Sequence, residues 1–316
     1  MTAEQTRSLL TVCLMAAFAD GHNDPREREH VRRTAESLSA QAGLDVMALY
    51  QDVLLKRVTL EHAVTGLDSH ELKQLAFEMA VGVCDADGVH DAGETAFLDR
   101  LSGLLGLARS ESATIVRDAD ALASAPVDRP LPEASVATAP AIPSGPDQTE
   151  LDRMILNAAI LNGALELLPE SLASMAIIPL QTRLVYRIGK SHGFELDRGH
   201  ITDFLATVGV GLTSQYVEQF GRKLVGGLLG KVLGRAGRMI GSEATGSAFS
   251  FATTYALGHV AKRYYADGRR LDAAALKASF AQLLDNARGL QSRYAPEIAE
   301  RARTLDLKKL TAELGR

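Results

Sequence analysis

Tryptophan is absent from this chain, and aromatic residues make up only 5% of it. Nucleic-acid modules interleave aromatics with a basic stripe, and no such stripe is present, so a nucleic-acid partner is not expected. Cysteine is almost as scarce. Cys13 and Cys84 lie in apolar stretches without C-x-x-C or zinc-like spacing, which excludes a disulfide framework and reads as two buried structural thiols in a reducing compartment. Uncharged apolar runs are short. A spanning helix needs roughly 18–20 such residues, yet the nearest stretch, Met239 to Leu257, contains Glu243, and Leu151–Leu168 carries Asp152, Arg153 and Glu166. Catalytic motifs are missing too. There is no G-x-S-x-G and no H-E-x-x-H, and the eight histidines are scattered. Gly189-Lys190-Ser191 resembles the end of a phosphate loop, but Leu184 stands where that loop needs glycine. The chain is expected to be non-enzymatic.

What remains favours helix. Hydrophobic residues make up 46% of the 316 positions, dominated by Ala and Leu, and alternating Val/Ile/Thr runs are rare. The expected fold class is all-α. Six of the ten prolines fall between Ala121 and Gln148 among Ala and Ser. Such a segment cannot bury a core and reads as a disordered linker. It divides the chain into an acidic helical domain, 1–120, and a second helical domain, 149–316, with a charged helical tail from Tyr294.

The first domain contains a repeat. ADGHNDPRE (Ala19–Glu27) returns as ADGVHDAGE (Ala86–Glu94), 67 positions later. The spacing suits two helix connections. Gly21 and Gly88 would end one helix, Asp24 and Asp91 would cap the next, and Glu27 and Glu94 would complete capping boxes. Pro25 would take a first helical position. Capping leaves Asp20, Asp85 and Asp87 unexplained, because negative charge at a helix C-terminus opposes the dipole. Closely spaced carboxylates are what hard divalent ions such as Ca²⁺ prefer. The spacing is not that of an EF-hand, since Val89 and Ala96 stand where acids would be required. The repeat also settles a trap at the N-terminus. LLTVCLMAAFA (Leu9–Ala19) mimics a signal peptide, but LAFEMAVGVCDADG precedes the second copy in the same way, so both read as core helices.

Charge divides unevenly. Residues 1–120 hold 20 Asp/Glu against 11 Lys/Arg, while residues 148–316 hold 16 against 22. The second domain contains GRKLVGGLLGKVLGRAGRMIG (Gly221–Gly241). On a helix, Gly226, Gly230, Gly234, Gly237 and Gly241 share one face, and Lys231, Arg235 and Arg238 cluster on another. The first face would permit close helix packing or oligomerisation, and the second would suit lipid headgroups. A flexible loop or a soluble helical core remains the alternative.

The doubled A-D-G-x-x-D-x-x-E, continued by Phe97-Leu98 and LSGLLGL (Leu101–Leu107), resembles the TerB-like tellurite-resistance domain over roughly 5–120. The resemblance implies a duplicated helical bundle whose acidic loops bind metal through Asp20, Asp24, Glu27, Asp87, Asp91 and Glu94, with Asp85 as a further acid. IIPLQTRLVYRIGKSHG (Ile177–Gly193), the glycine-rich middle and TTYALGHVAKRYY (Thr253–Tyr265) look like domain of unknown function 697 over about 150–290. Such domains accompany Era-like GTPases and are membrane-associated. Together these resemblances imply a cytoplasmic bacterial stress-response protein, peripheral to the inner membrane and not secreted. It would bind a divalent cation, Ca²⁺ most plausibly, and dock on a membrane or a helical partner. An adaptor for a separate GTPase, with purely structural acidic loops, is the alternative.

Overall fold

The computed structural model describes the backbone of residues 1–21, 25–42, 45–87, 91–128, 147–168, 171–210, 212–225 and 243–315. Among these residues all regular secondary structure is helical, in agreement with the expected class. The glycine stripe Gly226, Gly230, Gly234, Gly237 and Gly241, with Lys231, Arg235 and Arg238, lies outside the described residues. So do Gly88, Asp24, most of the linker, and the side chains of Glu27 and Asp87.

The chain forms two compact units that are not collinear with the sequence. The first comprises Met1–Ser124, Pro169–Met175 and Val210–Thr245; the second comprises Ala125–Leu168, Ala176–Gly209 and Gly246–Arg316. The proline-rich segment therefore does not separate all early residues from all late ones. Two pieces from beyond it belong to the first unit.

In the first unit, α1 (Ala3–Ala16), α2 (Pro25–Ala42) and α3 (Val46–Leu54) are followed by the short α4 (Leu60–Ala63). Then come α5 (His70–Cys84), a 3₁₀ turn η1 (Asp85–Asp87), α6 (Ala92–Leu105) and α7 (Arg109–Ala123). Helices α5 and α6 begin at the positions reached by displacing the starts of α1 and α2 by the repeat period. The duplication is thus one of helices as well as of acidic loops. Helix α1 packs on α3, α4 and α5. Leu9, Val12, Cys13, Ala16 and Ala17 form the buried face expected from their spacing, but Leu10 and Leu14 are buried as well. A helix enclosed on several sides is apolar all round, which is why α1 mimics a signal peptide.

Two late pieces complete this unit: α9 (Ser171–Met175) and α12 (Leu212–Val225). Helix α12 lies along α2 and also touches α1, α5, η1 and α9. Close approach requires small residues. A Cβ at Gly221 would come within 2.3 Å of Leu38 Cδ1 on α2. Tyr216 Oη donates to the carbonyl of Met175 at 2.9 Å, tying α12 to α9.

The second unit contains α8 (Gln148–Glu166), α10 (Ile177–Ser191), α11 (Arg198–Val208), α13 (Glu243–Ala266), α14 (Ala273–Thr304) and α15 (Leu307–Gly315). Helix α8 packs on α10 and α14, and α11 packs on the same two helices. Ala159, Ala164, Phe251 and Ile298 form part of its apolar core. A polar seam crosses the interior. Ser250 Oγ donates to Glu166 Oε2 at 3.0 Å, and Asn162 Nδ2 and Gln181 Nε2 both donate to Thr254 Oγ1, at 2.9 and 3.0 Å. The C-terminal tail is not simply a charged surface helix. Leu310 and Leu314 are buried, and the buried Arg183 guanidinium donates to the Leu314 carbonyl, satisfying a carbonyl at the end of α15.

Candidate metal centre

Each acidic loop follows an apolar helix. The last turn of α1 closes through Ala19 N–H to Ala16 O at 3.1 Å and Gly21 N–H to Phe18 O at 3.4 Å. Gly21 adopts φ +68°, the left-handed conformation expected of a helix-terminating glycine. Asp20 is half-buried beside it. In the second copy α5 ends at Cys84, Asp85 is its C-cap, and the chain continues through η1.

Asp91 is the N-cap of α6. Its Oδ1 accepts from Glu94 N–H at 2.8 Å, and Glu94 Oε2 accepts from Asp91 N–H at 3.0 Å. This is the reciprocal capping box expected from the sequence. Helix α2 begins at Pro25, as expected. Its capping residue Asp24 is outside the described part.

The two loops touch. A Cβ built on Gly93, in the first turn of α6, would stand 2.5 Å from the Ala19 carbonyl oxygen. Position 93 therefore accommodates no larger residue unless the first loop moves. Cys84 sits at the same junction, buried, with its thiol 4.0 Å from the Ala16 carbonyl. Burial pushes this thiol well above its ordinary pKa, and the charges of Glu94, Asp85, Asp20 and Asp91 push it further. Carboxylates from both copies thus bear on one buried atom. Cys13 is also raised, by burial alone. Both cysteines are the buried, free thiols expected.

Of the seven expected metal ligands, Asp20, Asp85, Asp91 and Glu94 share one end of the bundle. Asp85 differs from the rest in being buried. Among the described residues, no three His, Cys, Asp or Glu side chains are arranged as a ligand set. Sequence reading missed Cys84 as the point on which the loops converge, because an apolar-flanked cysteine carries no signal of what surrounds it. It also missed α12, since nothing local marks that helix as a partner of the acidic half.

The fold and this junction define a duplicated, all-helical domain with paired acidic connections. Residues 6–117 match the family model described as "Tellurite resistance protein TerB", so this part of the chain is similar to that family. No curated protein and no solved structure gives a match to the chain. Among the described residues, no helix is long and apolar enough to cross a membrane.

Proposed function

We propose that the protein is a non-enzymatic, tellurite-resistance-like stress-response protein whose paired acidic loops bind a divalent cation. One observation carries this reading: the two acidic connections meet, the first turn of α6 at Gly93 lying against the Ala19 carbonyl beside Asp20. Like charges gathered at a partly buried end repel one another, and a hard cation relieves that repulsion. Asp20, Asp91 and Glu94 would supply oxygens from the rim and Asp85 from the interior. Tellurite is itself an anion and would be repelled by such an end, so any link to tellurium would be indirect. The second half of the chain would dock on a membrane surface or a helical partner, a role that rests on its basic balance and its likeness to domain of unknown function 697.

Calorimetric titration of the full chain with Ca²⁺ and other divalent ions tests the central step. Saturable binding, weakened at least tenfold in Asp20→Asn/Asp91→Asn, is expected. Absence of saturation, or equal binding by the double variant, would return the loops to a capping role and favour the GTPase-adaptor alternative.

A further inference from the structure

The first turn of α8 is held to α13 differently from the rest of that helix. From Ile155 onward α8 is packed into the second unit. Ile155, Ala158 and Ala159 are buried, and a Cβ at Gly258 on α13 would come within 2.8 Å of the Ile155 side chain. Before Ile155 only Leu151 is buried, while Gln148, Asp152 and Arg153 are exposed. A polar tie supplements Leu151. Lys262 Nζ, on α13, pairs with Asp152 Oδ1 and donates to the Gln148 carbonyl at 3.3 Å.

His259 lies against the same carboxylate. Its Nδ1 is 3.8 Å from Asp152 Oδ1, the oxygen that Lys262 holds, and its Nε2 is buried without a hydrogen-bond partner. Tyr255 packs on the ring with centroids 4.4 Å apart, and Tyr294 of α14 bears on Tyr255 in turn. From α10, the apolar Leu184 meets this stretch of α13 at Gly258. Asp152 and Lys262 are the charged groups that act on the imidazole. A proton on the ring therefore sets two cations on one carboxylate oxygen, in a place where burial already disfavours charge. Lifting the first turn of α8 uncovers the ring on that side and lets water reach it. The imidazole then takes a proton more readily than under the closed turn, so acid favours the lifted state.

We propose that the first turn of α8, residues 148–152, is a latch that mild acid opens: protonated His259 competes with Lys262 for Asp152, and the turn lifts about the packed Ile155. The residues released join the proline-rich segment that leads into α8. No group of the acidic loops takes part, so the latch works whether or not those loops hold an ion.

The test is amide hydrogen exchange of the full chain, followed by NMR across pH. Rates are expressed as protection relative to an unfolded chain, which cancels the pH dependence of the exchange chemistry. Protection of the Leu151 and Asp152 amides should fall by at least about threefold between about pH 7.5 and about pH 5.5. The midpoint should coincide with the titration of the His259 ring in the same samples. The Ala158 and Ala159 amides should keep their protection. His259→Gln should hold the first turn at its high-pH level throughout, and Lys262→Met should lower protection at neutral pH and shrink the fall. Constant protection in the original chain would overturn the latch. So would a fall shared by Ala158 and Ala159, or one that persists in His259→Gln. If His259→Gln does not fold, the two midpoints in the original chain decide, and a mismatch between them overturns the proposal.

Discussion

Gly93 is the residue on which the two acidic loops depend for their contact. Its missing side chain leaves room for the Ala19 carbonyl, a backbone atom that cannot rotate out of the way. Gly93→Ala is expected to destabilise the first unit by about 1–3 kcal/mol, the usual cost of overpacking, measured as a lower urea midpoint. If the midpoint is unchanged, the loops are not held together there. Asp91→Ala removes one half of the capping box, the side-chain acceptor of the Glu94 N–H, while the Glu94 carboxylate still accepts from the N–H of residue 91. A loss of about 1–2 kcal/mol is expected from the cap. This loss should appear with or without added cation, which separates it from the effect of Asp20→Asn. Asp20 and Asp91 were both readable in the sequence, but only Asp91 announced its structural role. An N-cap is a local relation among four residues, so spacing reveals it. The burial of Asp85 and the junction at Cys84 are relations between distant helices, and spacing is silent about them.

At the scale of elements, the apolar periodicities and end signals located most helices. Gly106 ends α6 at φ +68°, as its place after LSGLL suggests. Pro296 misled. The sequence suggests an amphipathic helix ending near Leu290 and a separate tail from Tyr294, whereas α14 runs unbroken from Ala273 to Thr304 with Pro296 inside it. Proline deprives the carbonyl four residues earlier of its donor. That residue, Ser292, is exposed, as is Pro296, so water can replace the lost bond. Helix α13 carries a pH-sensitive element. His259 lies 3.8 Å from Asp152, which is also bound by Lys262. Burial holds the His259 pKa below its ordinary 6.5, against the pull of Asp152 and with the push of Lys262. The folded state therefore takes up this proton less readily than the unfolded chain. Its contribution to stability is intact above 6.5 and is lost as pH falls through that value toward the lower folded one. Unfolding midpoints compared between about pH 7.5 and about pH 5 should show this loss, and His259→Gln should make the profile flatter. An equally steep profile in the variant would assign the effect to another group.

The whole molecule is where sequence reading was least able to see. Composition sets the proline-rich segment apart, but it does not reveal which side of it supplies which helix. Because α9 and α12 belong to the first unit, a fragment ending at Ser124 leaves the faces of α2 and α5 that they cover open to water. Such a fragment is expected to unfold at lower urea than the full chain and to bind a hydrophobic dye. A fragment as stable as the full chain, with no dye binding, would show that α12 is dispensable. For the same reason, ion titrations belong on the full chain and not on the TerB match alone.

The interleaving of the two units also has a consequence in time. A ribosome releases α2 and α5 long before it has made α12. For roughly the 10 s that a further 100 residues take at ordinary rates of synthesis, the early helices have no covering partner. A nascent chain of this kind is expected to be a client of holding chaperones until residue 225 has cleared the exit tunnel.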